Sequence, residues 1–295
     1  MLKLSAVCYR YPGADIDALA GIDLLLQAGD IVGLLGANGA GKTTLFSLLS
    51  GLTQPVSGQL IWQQADMRVG LVPQHLAFYS QLSIIENLTF FADIYQLQGR
   101  QRQQQLQTVI DACNLNARLK QRAATLSGGW QRRLNFAIGI LQPAEVYLFD
   151  EATVGVDAQS RQQLLTAVKQ LAAAGKTLLY TSHYLQEIEQ IASRILVMQQ
   201  GKLLLDVPLS QFGSESWQLM VQWPQQEPSG WLELLANLAL TAQPIARGSI
   251  IDLSSADQWQ SLNQFITAQP VQPDLIRYGK PSLEQLYLHV TGGQL

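Results

Sequence analysis

The chain is 295 residues long, enough for one large core or for two domains of ordinary size. Hydrophobic residues make up 47% and charged residues 14%, with a net charge of −3, a globular composition in which nothing advertises nucleic acid or an anionic membrane surface. Cys8 and Cys113 stand apart without metal-ligand spacing and read as reduced thiols. No signal-peptide core opens the chain and no apolar run reaches about 18 residues, so the expectation is a cytosolic protein that does not cross a membrane by itself.

In chain order, strand-like and helix-like patterns alternate. The run DIVGLLG (30–36) reads as a buried strand and KTTLFSLLSGL (42–52) as a helix. RVGLVPQ (68–74), AEVYLFDEA (144–152), KTLLYTSH (176–183) and SRILVMQQGKLLLD (193–206) are short apolar runs ending in polar residues, the pattern of a mostly parallel sheet. Between them, about 78–143, the pattern turns helical, with QLSIIENLTFFADIYQL and QRQQQLQTVIDACNL as a helical insertion. The glutamine-rich piece QGRQRQQQLQ reads as a solvated helix face.

Around 213 the character changes. GSESWQLMVQWPQQEPSG holds Gly, Ser and Pro and reads as a boundary. A helix (WLELLANLAL), a strand (SIIDLS), a helix (QWQSLNQFIT) and a strand (DLIRYG) follow, which predicts a small α+β domain over 213–295 beside an α/β domain over 1–212.

Three motifs carry chemistry. GANGAGKT places Gly36, Asn38, Gly39, Ala40, Gly41, Lys42 and Thr43 in the pattern G-x-x-x-x-G-K-[ST], with Thr44 next, between a strand and a helix. Glycines let successive backbone N–H groups turn toward one phosphate chain, and the helix adds its positive end. Lys42 is placed to neutralise β and γ phosphates and the Thr43 hydroxyl to hold Mg²⁺. The strand VYLFDE delivers two carboxylates at its C-terminal end: Asp150 for Mg²⁺, and Glu151 to polarise a water for attack on the γ-phosphate. LSGGW opens a further helix with Ser127, Gly128 and Gly129; alone this is an ordinary N-cap, but it is also a second anion site. One chain does not easily aim both anion sites at the same phosphate, whereas two chains packed head to tail can.

The joint order GANGAGKTT, Gln74 in LVPQ, LSGGW, VYLFDE, VGVD and TSH resembles the ATP-binding subunit of ABC transporters over residues 1 to about 212. The resemblance implies a P-loop NTPase core with an antiparallel β edge at the N-terminus, and ATP and Mg²⁺ as cofactors. It implies that Tyr11 stacks on adenine, with Tyr9 as the alternative. Gln74 becomes the lid residue that meets Mg²⁺, the attacking water and the membrane partner; Leu126 to Trp130 becomes the signature that contacts the other subunit's γ-phosphate. Asp157 couples the two sites, unless it is a plain helix cap, and His183 becomes the switch histidine on the γ-phosphate. Two departures stand out: Trp130 where the signature commonly has Gln, and Ala152 where the acidic pair is often followed by Pro.

The end PSLEQLYLHVTG, with EATVGVDAQSR and SIIENLTFFADIY, resembles bacterial export-type subunits. This implies one ATPase subunit, apparently whole, working as a head-to-tail pair with a separately encoded transmembrane permease on the cytoplasmic face of the inner membrane. Phe78, Tyr79, Phe90 and Phe91 are the expected docking aromatics. A soluble ABC ATPase acting on ribosomes or DNA is disfavoured by the acidic charge and the single cassette, and a non-catalytic subunit by intact Lys42, Asp150, Glu151 and His183. Nothing in the sequence names the cargo.

Overall fold

The structure is a computed structural model, and it describes residues 2–63, 67–210, 217–245 and 247–279, with Leu283, Tyr287 and Thr291. The boundary expected at 213 and most of the tail PSLEQLYLHVTG lie outside the described residues. The chain divides into two compact units, Met1–Leu209 with Tyr287–Leu295, and Ser210–Leu286.

The first unit contains two sheets. Strands β1 (Leu2–Tyr9), β2 (Leu19–Leu26) and β4 (Ser57–Trp62) form a three-stranded antiparallel sheet in the order β2-β1-β4. Strands β3 (Ile31–Leu35), β5 (Val69–Val72), β6 (Val146–Asp150), β7 (Thr177–Thr181), β8 (Arg194–Gln199) and β9 (Lys202–Pro208) form a six-stranded sheet in the order β5-β6-β7-β3-β8-β9. All its neighbours are parallel except the β8–β9 hairpin. Strands β6 and β7 are buried along their whole length, which is why both read as unbroken apolar runs.

Helix α1 (Lys42–Leu49) follows β3 directly, and its Leu45, Phe46, Leu48 and Leu49 join Leu2 and Leu4 of β1 and Leu196 and Met198 of β8 in one core. Each such side chain contributes about 1.5–3 kcal/mol through burial. That core anchors the start of α1 against the ends of β3 and β8.

The expected helical insertion is present as α2 (Ile84–Ile94), α3 (Gly99–Ala112) and α4 (Gly128–Leu141). Helix α2 starts with Ser83 as its N-cap. The Ser83 hydroxyl accepts the Glu86 N–H at 3.3 Å and the Glu86 carboxylate accepts the Ser83 N–H at 2.7 Å, a reciprocal capping box. On α3, Gln101, Gln103, Gln104 and Gln107 are exposed, as expected of a solvated face. Helices α5 (Ala158–Ala173) and α6 (Leu185–Ile191) complete the unit.

The second unit runs β10 (Trp217–Gln222), α7 (Trp231–Asn237), β11 (Ala242–Ile245), β12 (Gly248–Leu253), α8 (Ala256–Thr267) and β13 (Leu275–Gly279). Its antiparallel sheet has the order β11-β12-β10-β13, the split β-α-β arrangement of ferredoxin-like domains. The segment WQLMVQ, which reads as part of a linker, is a central strand: Leu219, Val221 and Trp223 alternate inward onto Trp231, Leu235, Leu262 and Ile266. Of the residues that make the stretch look like a boundary, Pro224, Pro228 and Gly230 follow the strand, and Gly213 and Ser214 fall outside the described residues.

Candidate active site

The sequence GANGAGK builds a bare cradle between β3 and α1. Gly39 and Gly41 have φ of +80° and +104°, which side chains resist. A Cβ on Gly36 would lie 2.6 Å from the Met198 carbonyl oxygen, so only glycine lets the loop approach β8 so closely. Lys42 folds back over the loop and donates to the carbonyls of Gly36 at 2.6 Å and Ala37 at 3.1 Å. Burial pushes its ammonium below the ordinary lysine value, while the charges of Glu151 and Asp150 oppose that shift.

Strand β6 ends on the two carboxylates. Asp150 is buried, and its Oδ2 accepts the Thr43 hydroxyl at 2.8 Å while Oδ1 accepts the Thr181 hydroxyl at 3.0 Å. Glu151 adopts φ +50°, a costly conformation for a residue with a side chain, held by its N–H donating to Thr181 Oγ1 at 2.9 Å. The turn aims its carboxylate back toward the loop. Gln74 Nε2 donates to Glu151 Oε2 at 2.6 Å, and His183 Nε2 stands 3.0 Å from the same oxygen. Three residues far apart in sequence therefore meet on one carboxylate.

These groups line one cleft of about 430 Å³ with Asn38, Gly39, Ala40, Gly41, Lys42, Thr43, Thr44 and Tyr11. Tyr11 sits at its rim, 46% exposed, its hydroxyl 3.1 Å from Thr44 Oγ1 and its ring edge-on to Tyr9 at 5.0 Å. An exposed ring beside a phosphate cradle suits a stacking platform.

Ser127, Gly128, Gly129 and Asp157 do not line this cleft. Ser127 takes the N-cap conformation of α4 but its hydroxyl makes no capping bond, and Ser127 and Gly128 are exposed. Asp157 caps α5 by accepting the Ser160 N–H at 2.9 Å and the Ser160 hydroxyl at 2.5 Å; the hydroxyl bond foremost holds its carboxyl below the usual range. The same Ser160 accepts from Arg133 Nη2 at 2.6 Å. The Arg133 and Arg118 guanidinium carbons each lie 4.8 Å from the Trp130 ring centroid, so the departing signature residue is filled by a cation–π pile.

Sequence reasoning missed Arg132. It is buried, and it bridges two main-chain carbonyls, donating from Nη1 to Gln74 and from Nη2 to Glu151, both at 2.5 Å. Burial lowers its pKa, opposed by the carboxylates of Glu151 and Asp150. In the run QRR after LSGGW no local pattern distinguishes the arginine that turns inward.

A phosphate loop, an acidic strand end and an exposed Ser-Gly-Gly helix tip in one α/β unit define a nucleotide-hydrolysing cassette. The comparisons agree. Residues 19–154 match the ABC transporter family. The linearmycin resistance ATP-binding protein LnrL of Bacillus subtilis is 32% identical over 293 residues, covering 93% of this chain and 94% of that protein. The daunorubicin resistance ATP-binding protein DrrA3 of Streptomyces coeruleorubidus is 29% identical, covering 94% and 92%. The ATP-binding cassette MJ0796, solved as a dimer bound to ADP and Pi, has the same fold, with a TM-score of 0.64 at 22% identity over 71% of this chain and 99% of that one. The chain belongs to the ABC transporter family and is its ATP-binding, ATP-hydrolysing subunit. Among the described residues no helix is long and apolar enough to cross a membrane.

Proposed function

We propose that this chain powers export through a separately encoded transmembrane permease, docked on the cytoplasmic face of the inner membrane, by closing head to tail with a second copy around two ATP molecules. The observation that carries the dimer is the separation of the two anion sites: the Ser127–Gly129 tip stands outside the cleft that Lys42 and the phosphate loop enclose. A tip that cannot serve its own cleft is suited to serve a partner's. Export is supported by the relatives, which are named for linearmycin resistance, daunorubicin resistance and Nod factor export.

In this reading the cradle N–H groups and Lys42 bind the triphosphate, and Tyr11 takes the adenine. Thr43, Asp150 and Gln74 would hold Mg²⁺, which supplies charge neutralisation at the β and γ phosphates. The donors fit that ion: Thr43 Oγ1 and Asp150 Oδ2 are hard oxygens 2.8 Å apart, and no group of three His, Cys, Asp or Glu forms a closed metal cage among the described residues. Glu151 orients and deprotonates the attacking water, kept in place by Gln74. His183 contacts the γ-phosphate, and Asp157 with the Ser127 tip reports the partner's occupancy.

For the permease the supporting feature is an exposed aromatic patch formed by α2 and the loop that leads into it. Tyr79 is 51% exposed and meets Phe90 edge-on at 4.7 Å, with Phe78 and Phe91 half-buried around them. Membranes from cells making the chain with the permease encoded beside it test the reading. Wild-type chain sediments with them, while Tyr79→Asp with Phe90→Asp stays in the supernatant with ATP binding intact. Co-sedimentation of that double variant at wild-type level would reject this docking face.

A further inference from the structure

Behind the cleft lies a buried carboxylate that none of these roles uses. Glu187, in the first turn of α6, is 3% exposed. A carboxylate without water is unfavourable unless hydrogen bonds replace it. Here the replacements come from three segments. The Thr153 hydroxyl donates to its two oxygens at 2.8 and 3.0 Å, the Tyr180 hydroxyl at 2.8 Å and the Ser182 hydroxyl at 2.7 Å. Arg161 Nε lies 3.3 Å away, at ion-pair distance but out of line for a hydrogen bond, and its guanidinium carbon rests 3.8 Å over the Tyr184 ring.

The places of the donors matter. Thr153 lies inside the turn that follows Glu151, where the Val154 N–H donates to the Glu151 carbonyl at 3.1 Å. Ser182 immediately precedes His183, and its oxygen also accepts the Tyr184 N–H at 3.0 Å, closing the turn that presents the histidine. Tyr180 stands on β7 between β6 and β3. Arg161 belongs to the helix that Asp157 caps.

We infer that Glu187 is a positioning residue that locks the Glu151 turn to the His183 turn and so sets the 3.0 Å approach of His183 Nε2 to the Glu151 carboxylate. The inference rests on the reading that this pair carries ATP hydrolysis. Replacing one carboxylate oxygen by an amide NH₂ puts a donor where hydroxyls now donate, so a hydroxyl facing it must turn round to accept or lose its tie, and the neutral amide holds the remaining ties more weakly than the carboxylate does. The phosphate loop and Lys42 are not part of this network, so nucleotide affinity changes far less than turnover.

The test compares Glu187→Gln, Ser182→Ala and Thr153→Val with the wild-type chain in ATP turnover, ATP affinity and Tm. Glu187→Gln lowers kcat by about tenfold to a hundredfold, the scale of a small misplacement of reacting groups, while KM and ATP affinity change far less. Ser182→Ala and Thr153→Val lower kcat less, and Ser182→Ala adds nothing in the Glu187→Gln background, as members of one network behave. Wild-type kcat in Glu187→Gln, or losses that multiply in the double variant, would overturn the inference. If Glu187→Gln does not fold, Ser182→Ala and Thr153→Val decide: a lower kcat at unchanged Tm supports it, and wild-type kcat in both overturns it. Glu151→Gln run in parallel separates the two levels, because turnover in that variant rejects the underlying assignment rather than the role of Glu187.

Discussion

Gln74 and Glu151, 77 positions apart, share a hydrogen bond of 2.6 Å at the mouth of the phosphate cradle. The lid strand end therefore holds the very carboxylate that faces the cleft. Removing that donor leaves the Glu151 Oε2 with His183 as its remaining neighbour of the two, while the triphosphate cradle remains whole. Gln74→Ala should lower kcat by about a hundredfold, the scale of general-base catalysis, with affinity for Mg-free ATP retained. Steady-state turnover beside nucleotide titration checks it, and a wild-type kcat contradicts it.

Arg132 supports the same pair from behind by bonding both main-chain carbonyls. Arg132→Met takes a charged donor from the Gln74 carbonyl and from the Glu151 carbonyl, which keeps only the Val154 N–H, and should cost about 1–3 kcal/mol of stability together with turnover. Arg132→Lys should not restore either, because one ammonium does not reproduce the planar fork that spans both carbonyls. Thermal unfolding and turnover of the two variants measure this; full rescue by lysine would refute the bridging role.

The capping box of α2 gives a pH dependence. The Ser83 hydroxyl foremost, then the Ser83 N–H, holds the Glu86 carboxyl below its ordinary value. A carboxyl whose folded pKa is depressed contributes stability above its unfolded pKa, and that contribution disappears as pH falls through the folded value. Ser83→Ala should lower Tm by about 2–4 °C at neutral pH. The gap to wild type should narrow on acidification below the carboxylate range; a gap that stays constant with pH would contradict it.

Much of this site is legible in the sequence because its parts are local. GANGAGKTT needs bare backbone at a strand-to-helix junction, VYLFDE needs a strand end, and Ser83 with Glu86 needs only the spacing of one helical turn. Strand β10 hid because the Pro and Gly after it outweighed the period-2 signal of Leu219, Val221 and Trp223. Arg132 and Glu187 were illegible for another reason. Each acts through partners brought from distant segments, and a buried charged side chain looks, in sequence, like any solvated one.

Trp130 shows how a departure from the expected motif is accommodated. Its ring lies between Arg118 and Arg133, and Arg133 continues through Ser160 to Asp157. The pile ties the signature tip to the Asp157 loop. Trp130→Ala removes two cation–π contacts, one of them to the buried Arg133 and so worth about 2 kcal/mol, and should lower Tm as well as weaken ATP-driven pairing. Sedimentation at graded protein concentration reads the change; pairing equal to wild type would sever the pile from dimer closure.

The account turns on two copies exchanging their Ser127–Gly129 tips across bound ATP. Light scattering of Glu151→Gln at saturating Mg-ATP measures it most directly. The predicted mass is twice the 32.5 kDa of one chain, falling back to one chain when Lys42→Ala is added. A hydrolysis-deficient chain that binds Mg-ATP fully and still scatters as a single 32.5 kDa particle would contradict it.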